Sequence, residues 1–443
     1  MNYEETLDYI ASLSAYGIVP GLDSITELCR RLGNPQEALA FVHIAGSNGK
    51  GSVLAYVSTI LKCAGYKVGR FSSPAIFEKR EIIQVNGRSI TKKAFCELAE
   101  RIKAVCEEMV ADGFSHPTPF EVETAMAFLY FKECGCNVVV MEVGMGGRED
   151  ATNLIQNTKV AVLTPISMDH MQFLGKSLKE IAWQKAGIIK NGCYVVSAVQ
   201  DADCMQVIAE EAATKGAALT VSGEATKVKY GLVKQRFSYK NAVGVAFEDL
   251  EITLAGKQQV ENASLAVEVI GKLAECGYKV SEKQLRKGLY ETIWPGRFQI
   301  LSEKPYFVID GAHNEDAAKK LAESVRFYFT NKRIIYIIGI LRDKEYEKVI
   351  AETYAYADQI ITVTSPNNPR ALHALDLAQT VREYHPNVTA AGSLEEAVEM
   401  AYLLAGKDDV IISFGSLSYL GEMTKVHANY MEAKWIKKKL KRV

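Results

Sequence analysis

The sequence predicts an α/β protein in two parts. The first is a doubly wound, mainly parallel sheet with a small antiparallel sheet; the second is a further α/β series. Three observations point there. β-branched apolar runs alternate with helical patterns from residue 39 to 198. Short alternating segments break that rhythm between about 217 and 258. Pro295-Gly296 then interrupts both helix and strand patterns, and a second α/β series begins beyond it.

The elements follow in order. "LAFVHIA" (39–45) is an apolar run of strand length, and "KGSVLAYVSTILKCAG" (50–65) has helical periodicity closed by Gly65. "YKVGRFSS" (66–73) is the next strand. "TAMAFLYFKECG" (124–135) is a helix, followed by strands at "CNVVVMEVG" (136–144) and "TKVAVLTPI" (158–166). "SLKEIAWQKAGIIK" (177–190) is a helix and "GCYVVSA" (192–198) a strand. "ALTVSG", "VKYGLV", "RFSYK" and "GVAFEDLEITLAG" are expected as short antiparallel strands. After the break, "YFVIDGAHN", "RIIYIIGIL", "DQIITVTS" and "DVIISFGS" each end an apolar run in small or polar residues, where loops at strand ends carry ligand groups. The expected divisions are 1–293, a hinge at 294–297, and 298–443.

Composition narrows the function. A chain of 443 residues has room for more than one core, and 48% hydrophobic with 24% charged residues is ordinary for a soluble protein. A formal net charge of -1 gives no case for nucleic acid or an anionic membrane surface. The N-terminus "MNYEETLDYIASL" is acidic and lacks a signal-peptide pattern, and no apolar run is long enough to span a bilayer. Nine scattered cysteines, none after Cys276, read as free thiols in a reducing cytoplasm. Cys134 and Cys136 have no second pair nearby to complete a metal site, and read as two thiols at a helix end. The basic tail "KWIKKKLKR" reads as the solvated end of an amphipathic helix.

The chemistry concentrates in a few stretches. "HIAGSNGKGS" (43–52) lies between a strand and a helix, as a phosphate loop must. Gly46, Gly49 and Gly51 allow backbone N–H groups to converge on an anion at a helix N-terminus, and Lys50 adds a charge for the terminal phosphates. The stretch departs from the usual pattern: Gly51 separates Lys50 from Ser52, and the leading glycine is absent. "MEVGMGGREDATN" (141–153) delivers Glu142 at a strand end, where an acid can hold Mg²⁺ beside phosphates, with Ser73 as a hydroxyl ligand. A capping acid and a turn serine are the alternatives. Asp169-His170 follows another strand; the histidine can ligate metal or sit satisfied in the core. Lys185 falls on the helical face of Leu178, Ile181 and Ala182, so it needs a partner or a modification unless it snorkels to water. Asp310 and His313 in "IDGAHN", Arg297 in "PGR" and Asn262 at the expected opening of a helix are further candidates, each also readable as a cap or turn residue.

The order and spacing of "GIVPGLDSI", "HIAGSNGKGS", "SSP" with "QVNG", "PFEVETAMAF", "EVGMGGREDATN", "SMDHMQFLG", "IAWQKAGIIK", "PGRFQIL" and "IDGAHNEDAA" resemble the folylpolyglutamate synthase and dihydrofolate synthase family of Mur-ligase-like, ATP-dependent amide ligases, over nearly the whole chain. The resemblance implies cytoplasmic, monomeric action on ATP, L-glutamate and a folate or dihydropteroate carboxylate, through an acyl phosphate, in folate biosynthesis and one-carbon metabolism. It implies a P-loop ATPase-like, ATP- and folate-binding Mur-ligase central-type domain before the hinge and a Rossmann-like ligase domain after it. Gly46, Ser47, Asn48, Gly49, Lys50, Gly51 and Ser52 would hold the ATP phosphates, and Asn262, Arg297, Asp310 and His313 would also reach ATP. Ser73 and Glu142 would bind one Mg²⁺. His170 would help bind a second, with Lys185 carbamylated. Lys50, His170 and Lys185 would act in catalysis, and "PFEVETA" would lie near folate. The chain departs from the family pattern at Ser47, Ala75-Ile76, Glu149 and Gln184. A ligase for a cell-wall precursor and a nucleotide-binding regulator without ligase activity are the alternative readings.

Overall fold

The computed structural model describes residues 1–17 and 19–440. One position of "GIVPGLDSI", Ile18, and the end of the basic tail, 441–443, lie outside the described residues. The chain divides into two compact units. The first holds 1–229, 236–253 and 259–293; the second holds 230–235, 254–258 and 294–443. By packing, the short stretches 230–235 and 254–258 go with the second unit, although they precede the Pro-Gly break.

The first unit is built on eight strands: β1 Phe41–Ala45, β2 Val68–Phe71, β3 Ile83–Val85, β4 Arg88–Ser89, β5 Val138–Glu142, β6 Thr158–Leu163, β7 Tyr194–Ser197 and β8 Ala218–Val221. Their order is β4-β3-β2-β5-β1-β6-β7-β8. The sheet is parallel from β2 to β8, and β3 and β4 extend one edge as an antiparallel hairpin. The central strands β1 and β5 are buried at every position, which is why they read as unbroken apolar runs rather than alternating ones. One core cluster packs Phe41, Phe71, Phe128 and Met141 together; another packs Ala45, Leu163, Ile181 and Val195. Burying each large apolar side chain contributes roughly 1.5–3 kcal/mol, so the helices Pro119–Glu133 and Leu178–Ala186 are held by the faces they bury.

A second sheet has the order β11-β10-β9, with β9 Thr226–Lys229, β10 Gln235–Lys240 and β11 Ala246–Ile252, and β10 runs antiparallel to β9. "ALTVSG" was expected to belong with these strands. Its strand β8 instead runs parallel to β7, because the helix Ala202–Thr214 between them makes a crossover rather than a hairpin.

The second unit carries β12 Gln299–Glu303, β13 Tyr306–Ile309, β14 Ile334–Ile338, β15 Gln359–Thr362, β16 Val388–Ala390 and β17 Val410–Phe414, in the order β12-β13-β17-β14-β15-β16. All neighbours are parallel except β12 and β13. Val308, Tyr336, Ile338, Ile412 and Phe414 form part of its core.

Candidate active site

The phosphate-loop candidate is shaped by two tight approaches of backbone to side chain. β1 ends at Ala45, and Gly46 follows with φ +148°. A side chain at Gly46 would collide with Thr164 at the end of β6. Gly49, with φ +90°, is the N-cap of the helix Lys50–Cys63, and a Cβ there would stand 2.5 Å from Asn262 Oδ1. Glycine is therefore required at both positions by conformation and by space. The loop is also pinned: Ser47 N donates to Pro165 O at 2.9 Å, Ser47 Oγ donates to Ser167 O at 2.9 Å, and Ser167 N donates back to Ser47 Oγ at 3.0 Å. The hydroxyl of Ser47 thus has a structural task, tying the loop to the segment after β6. Gly51 and Ser52 are buried in the first helical turn, where backbone N–H groups lack helical partners.

Two ammonium groups converge on this loop. Lys50 Nζ donates to Gly46 O at 3.1 Å and to Ser47 O at 3.3 Å. Lys185 Nζ donates to the same Gly46 O at 2.9 Å, from a side chain only 4% exposed. Lys185 does not snorkel. It is delivered by the helix Leu178–Ala186, whose start is fixed by a capping box between Ser177 and Glu180, and it shares the buried face with Ile181 and Ala182. Backbone atoms hold the far end of that helix as well, since Arg148 N donates to Gln184 O at 2.7 Å. Gln184 therefore supports the glycine-rich loop through its main chain.

Glu142 closes β5 and is buried; its register partner is Ile44, two residues before the phosphate loop. On the other side β2 aligns Phe71 with Met141, which brings Ser73 to the same carboxyl edge as Glu142. Arg70, also on β2, is half-buried near Glu142 and Glu81. Burial pulls its guanidinium down to about 10, and the two carboxylates oppose that pull. Arg70 Nη2 donates to Gln84 Oε1 at 2.6 Å, while Glu81 accepts the N–H groups of Ile76 and Phe77 and so anchors the chain just past Ser73.

Asp169 Oδ1 accepts from His170 N at 2.9 Å, and Asp169 Oδ2 lies 3.7 Å from His170 Nε2. His170 has φ +51° and opens the short helix Met171–Leu174. This left-handed turn directs the chain after β6 and makes the histidine an oriented, partly exposed group rather than a core one.

Among the described residues, no group of three or more His, Cys, Asp or Glu side chains can hold a metal. A magnesium ion suits one acid plus hydroxyl and phosphate oxygens, and Glu142 with Ser73 supplies that donor set. A second ion beside His170 does not fit Lys185 as an ammonium, which would repel it; a carbamate there would fit.

Asn262 lies in the second turn of the helix Gln258–Glu275 rather than opening it, and its Nδ2 donates to Gln259 Oε1 at 3.1 Å. Its contact with Gly49 places it at the loop. "PFEVETA" is helical from Pro119, five residues before the expected start. Thr118 and Glu121 form a capping box there, so Glu121 has a structural role. Glu123 is buried and ion-paired with Lys79.

Three further candidates cluster in the second unit. Asp310 follows β13; its Oδ2 accepts from Phe298 N and its Oδ1 from Ala312 N, both at 2.8 Å. Burial pushes its carboxyl up, opposed by the Arg297 guanidinium. His313 Nδ1 pairs with Gly311 O at 2.7 Å, and a Cβ at Gly311 would come within 2.8 Å of Arg297 Nη1.

Sequence reasoning passed over Thr164, Ser167 and Arg70. Thr164 and Ser167 flank the end of β6, where a strand-end signal was already visible. Arg70 carried its own signal, a charge inside the apolar run "YKVGRF".

Comparison with known proteins identifies the family. The Mur ligase middle domain matches residues 44–270, and the Mur ligase glutamate ligase domain matches 296–417. The dihydrofolate synthase/folylpolyglutamate synthase of Bacillus subtilis is 35% identical over 96% of this chain and 98% of its own. Mycobacterium tuberculosis folylpolyglutamate synthase, solved with ADP and AMPPCP, superposes with a TM-score of 0.87 at 29% identity, over 95% of this chain and 98% of that one. E. coli FolC in complex with DHPP and ADP gives a TM-score of 0.83 at 30% identity, over 98% of each chain. The chain belongs to the dihydrofolate synthase/folylpolyglutamate synthase family of Mur-type ligases.

Proposed function

We propose that this protein is an ATP-dependent ligase that joins the amine of L-glutamate to the carboxylate of a folate, and also of dihydropteroate. The observation that carries the reading is Lys50 at the N-terminus of its helix, with Nζ on the Gly46 and Ser47 carbonyls of the glycine loop, at the sheet edge that also bears Glu142. Such a concentration of fixed charge at a helix N-terminus suits the phosphates of ATP. Full-length similarity to folate ligases supports the substrate class.

In this reading Gly46–Ser52 cradle the phosphates, and Lys50 turns from the loop carbonyls to the γ-phosphate. A substrate carboxylate oxygen attacks that phosphorus and ADP leaves, giving an acyl phosphate. The glutamate amine then attacks the acyl carbon, and phosphate departs carrying one carboxylate oxygen. Asp169 holds His170 in place, and His170 would act on the reacting groups. Ser73 and Glu142 would hold one Mg²⁺, and His170 with carbamylated Lys185 a second; bound magnesium supplies charge neutralisation on the phosphates. Asn262 fixes the loop through Gly49. The Arg297, Asp310 and His313 cluster is assigned to the nucleotide on the family pattern. Residues 1–293 form the ATP- and folate-binding domain, 294–297 the hinge and 298–443 the ligase domain, and the protein acts as a cytoplasmic monomer. Among the described residues no helix is long and apolar enough to cross a membrane, and all nine cysteines are free.

An omission panel tests the reading. ADP release should require glutamate together with dihydropteroate or tetrahydrofolate, should not occur with a UDP-linked muramyl acid, and should fall on the order of 10²-fold or more in Lys50→Ala. ADP release independent of glutamate, or full activity in Lys50→Ala, would sink it.

A further inference from the structure

β2 carries a single charge inside its apolar run, Arg70. The strand register gives its direction. A Cβ at Gly69 would strike the Phe131 ring, and Phe71 and Met141 pack into the cluster that holds Phe128. Successive residues of a strand alternate faces, so Arg70 lies on the opposite face of the sheet. Its register partner on β5 is Val140, and Glu142, two residues further on, shares that face. Arg70 and Glu142 are therefore diagonal neighbours, within reach of a long side chain. The field of Glu142 at the guanidinium agrees with that placement.

The side chain is also held. Arg70 Nη2 donates to Gln84 Oε1 at 2.6 Å, and Gln84 Nε2 donates to Glu81 O at 2.9 Å. Glu81, the other acid whose field reaches Arg70, accepts from Phe77 N at 3.1 Å. The guanidinium thus belongs to the same carboxyl edge that presents Glu142 and Ser73. It changes what that edge attracts. A bare divalent cation approaching Glu142 meets the like charge of Arg70. A divalent cation bound to a nucleoside triphosphate arrives with net negative charge, and the same arginine draws it in. Glu142 is buried and Arg70 half-buried, so solvent ions screen the effect only in part.

We propose that Arg70 is a specificity-determining residue: it makes Glu142 take a divalent cation only together with a nucleoside triphosphate. The inference rests on the reading of Glu142 as a metal donor, and it adds a residue that would touch neither the ion nor the reacting atoms.

The test is a pair of binding titrations of the full-length chain, with Mn²⁺ as the probe ion and no turnover. Mn²⁺ alone is titrated with the free ion read by electron paramagnetic resonance, and preformed Mn·AMPPCP is titrated by calorimetry. The parent, Arg70→Met, Glu142→Gln and Arg70→Met/Glu142→Gln are compared, with circular dichroism confirming the fold. In the parent, binding of bare Mn²⁺ should not depend on Glu142. Arg70→Met should gain a site for bare Mn²⁺ that is roughly tenfold tighter and absent from the double variant, and should bind Mn·AMPPCP roughly tenfold more weakly. A Glu142-dependent site for bare Mn²⁺ in the parent, as tight as that for Mn·AMPPCP, overturns the inference without recourse to any Arg70 variant. Folded Arg70→Met that matches the parent in both titrations, while Glu142→Gln weakens Mn·AMPPCP, overturns the role of Arg70 and leaves the metal reading of Glu142 standing. Glu142→Gln that binds Mn·AMPPCP like the parent removes Glu142 from the metal, and both fall.

Discussion

Lys185 is the residue on which most of the chemistry turns. Its helical spacing alone placed it on the buried face, and the structure puts its ammonium on the Gly46 carbonyl beside Lys50. An ammonium in that position favours phosphate but disfavours a metal ion. Carbamylation reverses the sign of the charge without moving the helix. Lys185→Ala should therefore lose ligase activity, and formate or acetate in excess should restore part of it by supplying the missing carboxylate oxygens. Lys185→Arg should not be rescued, since its bulk and permanent charge fill the space. Full activity in Lys185→Ala would show that the lysine only braces the loop. Restoring an acid with Gln184→Glu is less consequential on this geometry, because residue 184 contributes its backbone carbonyl to Arg148 N.

At the scale of elements, the site depends on how closely helices approach the loop after β1. The helix Gln258–Glu275 sets Asn262 against Gly49, where both the positive φ and the proximity exclude a side chain. Gly49→Ala should cost roughly 1–3 kcal/mol of stability and raise the KM for ATP. In Gly49→Ala/Asn262→Gly the stability loss should be smaller than the sum of the single losses, measured by urea unfolding as a double-mutant cycle. Strict additivity would mean that the two residues do not meet. Much of this architecture was legible beforehand. Buried parallel strands announce themselves as apolar runs, and the glycine spacing marked the loop. The misreadings have physical causes. β8 is short and half-exposed, so its pattern resembles a hairpin strand, and only the helix before it decides its direction. The start at Pro119 was signalled by Thr118, Pro119 and Glu121, a cap overlooked in favour of the apolar run that follows. The packing of 230–235 and 254–258 with the second unit is long-range, and no local pattern encodes it.

At the scale of the whole molecule, stability depends on pH through groups remote from the chemistry. His427 sits in the second unit, paired with Tyr402 Oη at 2.9 Å, and burial pulls its imidazole down to about 4. The unfolded chain takes up that proton near pH 6.5, the folded one only near 4. Stability from this group is thus present above 6.5 and lost as pH falls toward 4. Buried acids whose carboxyls are raised, such as Glu121 and Asp310, act in the opposite direction, so a variant must isolate the effect. Between pH 7 and 4.5 the parent should lose about 2 kcal/mol more stability than His427→Gln; parallel curves would mean that His427 is not buried neutral. The central claim, that the charged edge around Lys50, Glu142 and Lys185 drives phosphoryl transfer from ATP to a folate carboxylate, is tested most directly by isotope transfer. Dihydropteroate or tetrahydrofolate labelled with ¹⁸O in the reacting carboxylate is turned over with ATP and L-glutamate, and the released phosphate is analysed by mass spectrometry. Every turnover should move one carboxylate oxygen into inorganic phosphate; unlabelled phosphate from a reaction that still forms the amide would contradict the account.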